Sequence, residues 1–432
     1  MKRKIYQDLL AWKNSGAASP LIVLGARQVG KTYIIEHFCK SEFDNYVKFN
    51  LLDRADIVSL FKENITTQEK IDRLELFVGH KIDFENTLIF FDEVHISEEI
   101  LSACKFFAES KTKYKVICAG TLLKPEANRY NVSSPVGKTN LLSMFPLDFE
   151  EFLWANDNEL LAKQIRSCFT VGKKMVSSLH NESLLAYRTY LCIGGMPKSV
   201  VNFIENGRNV LLFDSKILDD IQTSCVNDMS TFIKSSLIKT KAEAIYDSVP
   251  NQLSNASGKF MYSKIRKGAK GRDYISPMEW LESSGMVYRS KMVEKPLAPL
   301  KGHQKVGYFK LYLNDPALLR IALGIKANTI LLDEDFACKG LLAENYVAGQ
   351  LVASGKPLFY WRSENTAEVD FLLTNDDGII PLEVTAGRRA DSPSLRVYQT
   401  KFDPTYTLRI CARNFSCDDK FKTIPLYAAF CL

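Results

Sequence analysis

The sequence lacks any uninterrupted apolar run of about 18 residues, the length a membrane-spanning helix needs, so no membrane partner is expected. Its ten cysteines include no C-x-x-C pair and no adjoining histidine pattern. That argues against a zinc site and against a secreted disulfide framework. The basic start Met1-Lys2-Arg3-Lys4 is followed by Tyr6-Gln7-Asp8-Leu9, where a signal peptide needs an apolar stretch, and the expected compartment is cytoplasmic. No G-x-G-x-x-G fingerprint adjoins a strand-like run and no protein-kinase motif occurs, which disfavours a dehydrogenase and a protein kinase. A large charge imbalance is missing too. A net charge of +6 permits a nucleic-acid partner without requiring one.

What is present is ordinary globular material: 432 residues, 46% hydrophobic and 25% charged, enough for two or three domains. Within it, Leu21-Ile22-Val23-Leu24 reads as a buried strand. It runs into Gly25-Ala26-Arg27-Gln28-Val29-Gly30-Lys31-Thr32, which fills G-x-x-x-x-G-K-[ST]. The glycines let successive backbone N–H groups face phosphate oxygens. Lys31 is expected on the β- and γ-phosphates of ATP and the Thr32 hydroxyl on Mg²⁺. Tyr33 to Phe38 begins a helix whose N-terminus favours anions.

Downstream, Thr87-Leu88-Ile89-Phe90-Phe91 is a β-prone run ending in Asp92-Glu93. Alone, a strand ending in an acidic pair is common. After a phosphate loop it is a Walker B pattern, with Asp92 on the Mg²⁺ shell and Glu93 polarising the attacking water. A third run, Lys115 to Ala119, ends in Gly120-Thr121. Thr121 is either a sensor of the γ-phosphate or part of a strand-ending turn. With Val47 to Leu51 as a further strand, the alternation implies an α/β fold, a parallel sheet with helices on both faces. Ligand then sits at the carboxyl ends of the strands.

The chain resembles prokaryotic AAA-type ATPases that carry a C-terminal domain of unknown function. The resemblance rests on the phosphate loop, Phe90-Phe91-Asp92-Glu93-Val94-His95, Pro135-Val136-Gly137-Lys138, and Phe145 to Leu153. It continues through Tyr190-Leu191-Cys192-Ile193-Gly194-Gly195-Met196-Pro197, Glu344-Asn345-Tyr346-Val347, Tyr360-Trp361-Arg362, Glu368-Val369-Asp370-Phe371 and Glu383-Val384. It implies a P-loop ATPase domain over 1–155, a helical and winged-helix-like region over 156–332, and a small α/β restriction-endonuclease-like domain over 333–432. Lys138 stands where many relatives carry arginine, with Arg129 nearby as another candidate finger. In relatives such ATPases assemble into rings, so an oligomer is an expectation.

In the middle region, Gly194-Gly195-Met196-Pro197 is a turn between helices, or a hinge. Lys259, Lys264, Arg266, Lys267, Lys270 and Arg272 form a basic loop before a helix containing Trp280 and a strand at Met286 to Arg289. Lys264, Arg266, Lys267, Lys270 and Arg272 are candidate DNA contacts, or a solvated face. In the C-terminal part, a helix at 341–347 and strands at 358–361, 369–373 and 379–384 follow the order of the nuclease fold. The resemblance implies that Glu344, Asp370 and Glu383 match its Mg²⁺-binding carboxylates. The lysine two residues after the last is Thr385 here. Three carboxylates still gather a hard cation, but threonine supplies no positive charge. Arg388 and Lys401 are candidates to replace it. Three functions stay open: an ATPase controlling a DNA- or protein-binding module, an ATP-regulated DNA nuclease, and a protein-interaction switch without nucleic acid.

Overall fold

A computed structural model describes the chain apart from residues 16–18, 110–111, 122–138, 234, 256–257, 364–366, 389–391 and 419. Arg129 and Lys138, the two candidates for a finger, lie outside the described residues. The chain divides into two compact units. One holds Lys2–Phe145 with Ser283–Gly285; the other holds Met1, Pro146–Glu282 and Met286–Leu432.

The first unit is an α/β sandwich. Its strands are β1 (Leu21–Gly25), β2 (Asn45–Asn50), β3 (Thr87–Asp92), β4 (Lys115–Gly120) and β5 (Asn140–Met144), in the sheet order β2-β3-β4-β1-β5. All neighbouring pairs are parallel. Every residue of β1 and β3 is buried, as a strand covered on both faces requires. Side chains alternate between faces along each strand. Ile22, Phe49, Ile89 and Phe91 therefore join one apolar cluster, which also includes Ile57, Leu60, Ile71, Leu74 and Phe107. These come from α3 (Ala55–Lys62), α4 (Thr67–Val78) and α5 (Glu98–Glu109), while α1 (Ile5–Asn14) and α2 (Lys31–Glu42) complete the set. Helix α4 starts on a capping box in which Thr66 and Glu69 satisfy each other's backbone N–H groups.

The second unit is longer and mixed. Helices lead through it in the order α6 (Phe149–Ala155), α7 (Glu159–Val171), α8 (Ser177–Ile193), α9 (Pro197–Glu205), α10 (Lys216–Phe232), α11 (Ser236–Leu253), α12 (Ile275–Ser283), α13 (Pro316–Ala322) and α14 (Ala327–Leu331). Between α12 and α13 runs an antiparallel hairpin, β6 (Val287–Val293) and β7 (Gln304–Leu313). After α15 (Lys339–Ala353) come β8 (Phe359–Arg362), β9 (Glu368–Val369), β10 (Phe371–Asn375) and β11 (Gly378–Val384). Then α16 (Pro393–Phe402), β12 (Thr407–Cys411), β13 (Ser416–Asp418) and β14 (Phe421–Pro425) close the unit. Two sheets form, β7-β6-β8-β9 and β10-β11-β12-β14-β13.

Two expectations change in detail. The strand expected at 369–373 is broken at Asp370, which separates β9 from β10 and lets the chain pass from one sheet to the other. The strand expected at Met286 to Arg289 opens the β6–β7 hairpin, which is not free-standing. Its β6 edge pairs in parallel with β8, Lys291 opposite Phe359 and Val293 opposite Trp361. An exposed edge of unpaired N–H and C=O groups invites a partner, and here a strand some 70 residues on supplies it. Local sequence cannot announce such a pairing.

The turn at Gly194-Gly195 has a steric reason. Gly194 sits at φ +79°, and a Cβ there would lie 2.3 Å from an Asp315 carboxylate oxygen. Asp315 is fully buried and accepts the Gly195 N–H at 2.6 Å, so the carboxylate staples α8, α9 and α13 together. Among the described residues no helix is long and apolar enough to cross a membrane.

Candidate nucleotide site and a buried lysine–carboxylate cluster

The phosphate loop begins where β1 ends. Gly25 is fixed by its neighbour strand, since a Cβ there would lie 2.1 Å from the Met144 carbonyl oxygen of β5. Gly30, at φ +93°, turns the chain into α2, a conformation that costs an L side chain energy. Buried Lys31 donates to the carbonyl oxygens of Gly25 at 2.9 Å and Ala26 at 2.8 Å. Arg3 donates to Val29 O at 2.9 Å and to Phe145 O at 2.6 Å, which ties the loop to the end of β5. The basic N-terminus read only as charge in the sequence thus includes a buried positioning group. The turn Ser283–Gly285 belongs to this unit, and a Cβ on Gly285 would lie 3.4 Å from Ala26 N.

Asp92 ends β3 beside this loop. Its carboxylate accepts the Thr32 hydroxyl at 2.8 Å. The two oxygen groups expected at Mg²⁺ therefore stand together, although 60 residues separate them. Lys48 of β2 lies 3.4 Å from the same Asp92 oxygen and 2.7 Å from Glu36. Burial works against the Lys48 charge, but Glu36 and Asp92 outweigh it and raise its pKa. No motif signalled Lys48; its place on the strand next to β3 is a consequence of sheet order.

Glu93 adopts φ +57°, and its carboxylate lies 3.3 Å from His95 Nδ1. Burial, with the positive charges of Arg27 and Lys31, lowers the His95 pKa to about 4. The imidazole is neutral at neutral pH, so this contact is not a pairing of opposite charges. Gly120 closes on the same spot: a Cβ there would lie 3.3 Å from His95 N. The next residue, Thr121, has a buried hydroxyl with no hydrogen-bond partner among the described residues. β4 lies between β1 and β3, so Gly25–Thr32, Asp92, Glu93 and Thr121 share the carboxyl edge of the sheet.

The carboxylates of the C-terminal part meet a different partner. The Lys310 ammonium, fully buried on β7, lies 2.8 Å from Glu344 of α15, 2.6 Å from Glu368 of β9 and 3.9 Å from Asp370. Tyr312 adds a hydroxyl donated to Glu344. Burial alone would lower the Lys310 pKa; Glu344, Tyr312, Glu368 and Asp370 together hold it well above its ordinary value. Burial, then the Glu344 charge, pushes the Asp370 pKa up against the opposing pull of Lys310. Asp370 also accepts the Val384 N–H at 2.8 Å, and Glu383 accepts the Ser392 hydroxyl.

Glu344, Asp370 and Glu383 are thus not gathered round one point, and among the described residues no three His, Cys, Asp or Glu side chains have metal-holding geometry. The lysine brought to the carboxylates is neither Arg388 nor Lys401. Lys401 lies 5.8 Å from the Trp361 ring centroid, and the Arg388 carbonyl accepts from Arg413. Thr385, at the expected lysine position, donates its backbone N–H to Ile410 O. Of the candidate DNA contacts, Lys264, Arg266, Lys267, Lys270 and Arg272 are all exposed around two short 3₁₀ turns, and Arg272 lies 3.8 Å from Asp273.

Asp148 and Glu151 form the capping box of α6, and Glu150 takes a two-pronged contact from Arg166. Asn345 exchanges two hydrogen bonds with the Leu313 backbone, fastening α15 to β7.

Comparison with known proteins agrees with this layout. Residues 17–153 match the model of an AAA domain, 184–329 a domain of unknown function (DUF8612), and 339–429 another (DUF4143). No curated protein matches the chain. Among solved structures, a Walker-type ATPase of Pyrococcus abyssi is similar at 14% identity and a TM-score of 0.45, covering 75% of this chain and 96% of its own. The ORC2 protein of Aeropyrum pernix is similar at 11% identity and a TM-score of 0.39, covering 76% and 92%. With its phosphate loop on a five-stranded parallel sheet and its C-terminal matches in order, the chain carries an AAA-type P-loop ATPase domain followed by two domains of unknown function.

Proposed function

We propose that this chain is a cytoplasmic, Mg²⁺-dependent ATPase whose nucleotide state controls recognition of DNA or protein by its C-terminal half. The observation that carries the catalytic part is the Thr32–Asp92 hydrogen bond at 2.8 Å. A hydroxyl and a carboxylate in contact at a phosphate loop suit a hard cation, which prefers oxygen donors. Thr32 and Asp92 would hold Mg²⁺, which on binding with ATP offsets phosphate charge. Lys31 exchanges its two carbonyl acceptors for β- and γ-phosphate oxygens. Glu93 orients and polarises the attacking water. Thr121 donates its hydroxyl to the γ-phosphate and so distinguishes ATP from ADP.

Support for the coupling comes from the turn Ser283–Gly285. It lies against Ala26 of the phosphate loop, and along the chain it joins α12 to β6. A loop that shifted with the γ-phosphate would move the residues that lead into β6. The nuclease reading draws less support. Its carboxylates are engaged: Glu344 and Asp370 by Lys310, Glu383 by Ser392.

The test is phosphate release by purified Lys31→Ala protein. Loss of one positioned cation in a phosphate site is expected to slow turnover by at least about 10²-fold. Unchanged release would end the ATPase assignment.

A further inference from the structure

One cleft of the second unit, about 790 Å³, is lined by five cations: Lys259, Lys295, Lys305, Arg362 and Lys401. They come from four separate stretches of chain. Among the described residues, Lys305 has Glu294 at 2.7 Å and Arg362 has Glu368 at 3.8 Å. Lys259, Lys295 and Lys401 have no carboxylate within ion-pair reach among the described residues. The cleft surface between them is apolar, with Met292, Leu297, Tyr308 and Phe402 among its lining. Tyr308 is exposed and carries the Lys259 ammonium 3.4 Å and the Lys305 ammonium 4.8 Å from its ring centroid.

Positive charge dispersed over an apolar, aromatic floor fits one kind of polymer. Single-stranded nucleic acid shows repeated phosphates and open base faces together, whereas a duplex presents mainly its phosphates. An isolated small anion needs one focused site, not charges spread over four segments. The fixed cations also supply what a metal would otherwise bring. Lys310 stands behind the wall, 5.3 Å from the Tyr360 ring centroid, and Glu368 links it to Arg362.

We infer that this cleft binds single-stranded nucleic acid by its phosphates and bases, without a divalent cation. This deepens the recognition half of the proposed function and locates it away from the 264–272 loop. The strand lies with phosphates on Lys259, Lys295, Lys305, Arg362 and Lys401, and with bases against Tyr308 and its apolar neighbours. It is held and not cut, because the nearby carboxylates are committed to Lys310.

The experiment is fluorescence anisotropy of the full chain with a labelled oligothymidylate of about 12 nucleotides, a length within the range of single-strand sites, in EDTA and without ATP. Binding is expected to weaken linearly in log–log salt titration, by a slope of about 0.7 per phosphate contact. The doubly substituted K259Q/K401Q protein is expected to lose about 1.4 from that slope and to bind correspondingly more weakly. Lys259 is half-buried and Lys401 exposed, and far-UV circular dichroism checks the fold. Phosphate release by K259Q/K401Q stays at the wild-type rate, which separates failure here from failure of the ATPase assignment. Absence of binding, salt-independent binding, or an unaltered K259Q/K401Q protein would overturn the inference. So would equal competition by duplex, by a mononucleotide or by polyglutamate. Loss confined to R266Q/K267Q would move the contact to the loop, and strand cleavage on adding Mg²⁺ would refute holding without cutting.

Discussion

The nucleotide site and the C-terminal cluster are each centred on one buried lysine, and the two lysines are held in opposite ways. Lys31 donates to two neutral carbonyl oxygens from residues five and six positions earlier. Lys310 faces carboxylates 34 and 58 residues later along the chain, at 2.8 and 2.6 Å. An ammonium on neutral acceptors loses little when an anionic phosphate replaces them. An ammonium locked among charged carboxylates in a buried site would leave bare charges behind. Under the proposed function the first arrangement is an exchangeable binding group; the second is a fixed joint between β7, α15 and β9.

The comparison can be broken in the nucleotide site by Glu93→Gln. Removal of a positioned general base is expected to slow hydrolysis by about 10²–10⁴-fold with ATP binding retained, read by single-turnover hydrolysis beside nucleotide titration. Equal hydrolysis would remove Glu93 from the base role. Next in size is Lys310→Met. Removing one partner of a buried ion cluster is expected to cost about 3–5 kcal/mol of stability, measured by urea unfolding. The added changes Glu344→Gln and Glu368→Gln should restore part of the loss. If they deepen it instead, the cluster is not held by charge.

The smallest effect sharpens the contrast through pH. The His95 pKa is about 4 in the fold against an ordinary 6.5. A histidine with a depressed pKa contributes stability that is present above 6.5 and lost as pH falls toward 4. With its partial burial, that amounts to on the order of 2 kcal/mol. Wild-type protein should therefore lose more stability between pH 7 and pH 4.5 than His95→Gln does. Parallel denaturation curves for the two proteins would contradict the buried, neutral imidazole.

The nucleotide half was legible because its groups sit in short contiguous motifs attached to local structure. A four-residue apolar run, two glycines and a lysine fix where β1 stops and α2 starts, and the Asp92-Glu93 pair marks the end of β3. The adjoining contributors Arg3 and Lys48 were not legible: nothing local distinguishes them from surface cations, and only the strand order brings them to the loop. In the C-terminal half, the break at Asp370 and the β6–β8 pairing escaped a reading made strand by strand. Arg388 and Lys401 are near Thr385 in sequence, whereas Lys310 precedes it by 75 residues, so nearness along the chain does not lead to it.

The sequence alone determined that this chain has a P-loop and, further on, a strand ending in Asp92-Glu93, since backbone geometry and phosphate chemistry demand particular residues at particular spacings. Tertiary structure alone decided which lysine answers the C-terminal carboxylates, and where cations line an apolar cleft. Lys310 is an ordinary residue of a hairpin strand until β6 pairs with β8. Burial then makes its charge costly, and the three carboxylates collected by the same fold make it stable.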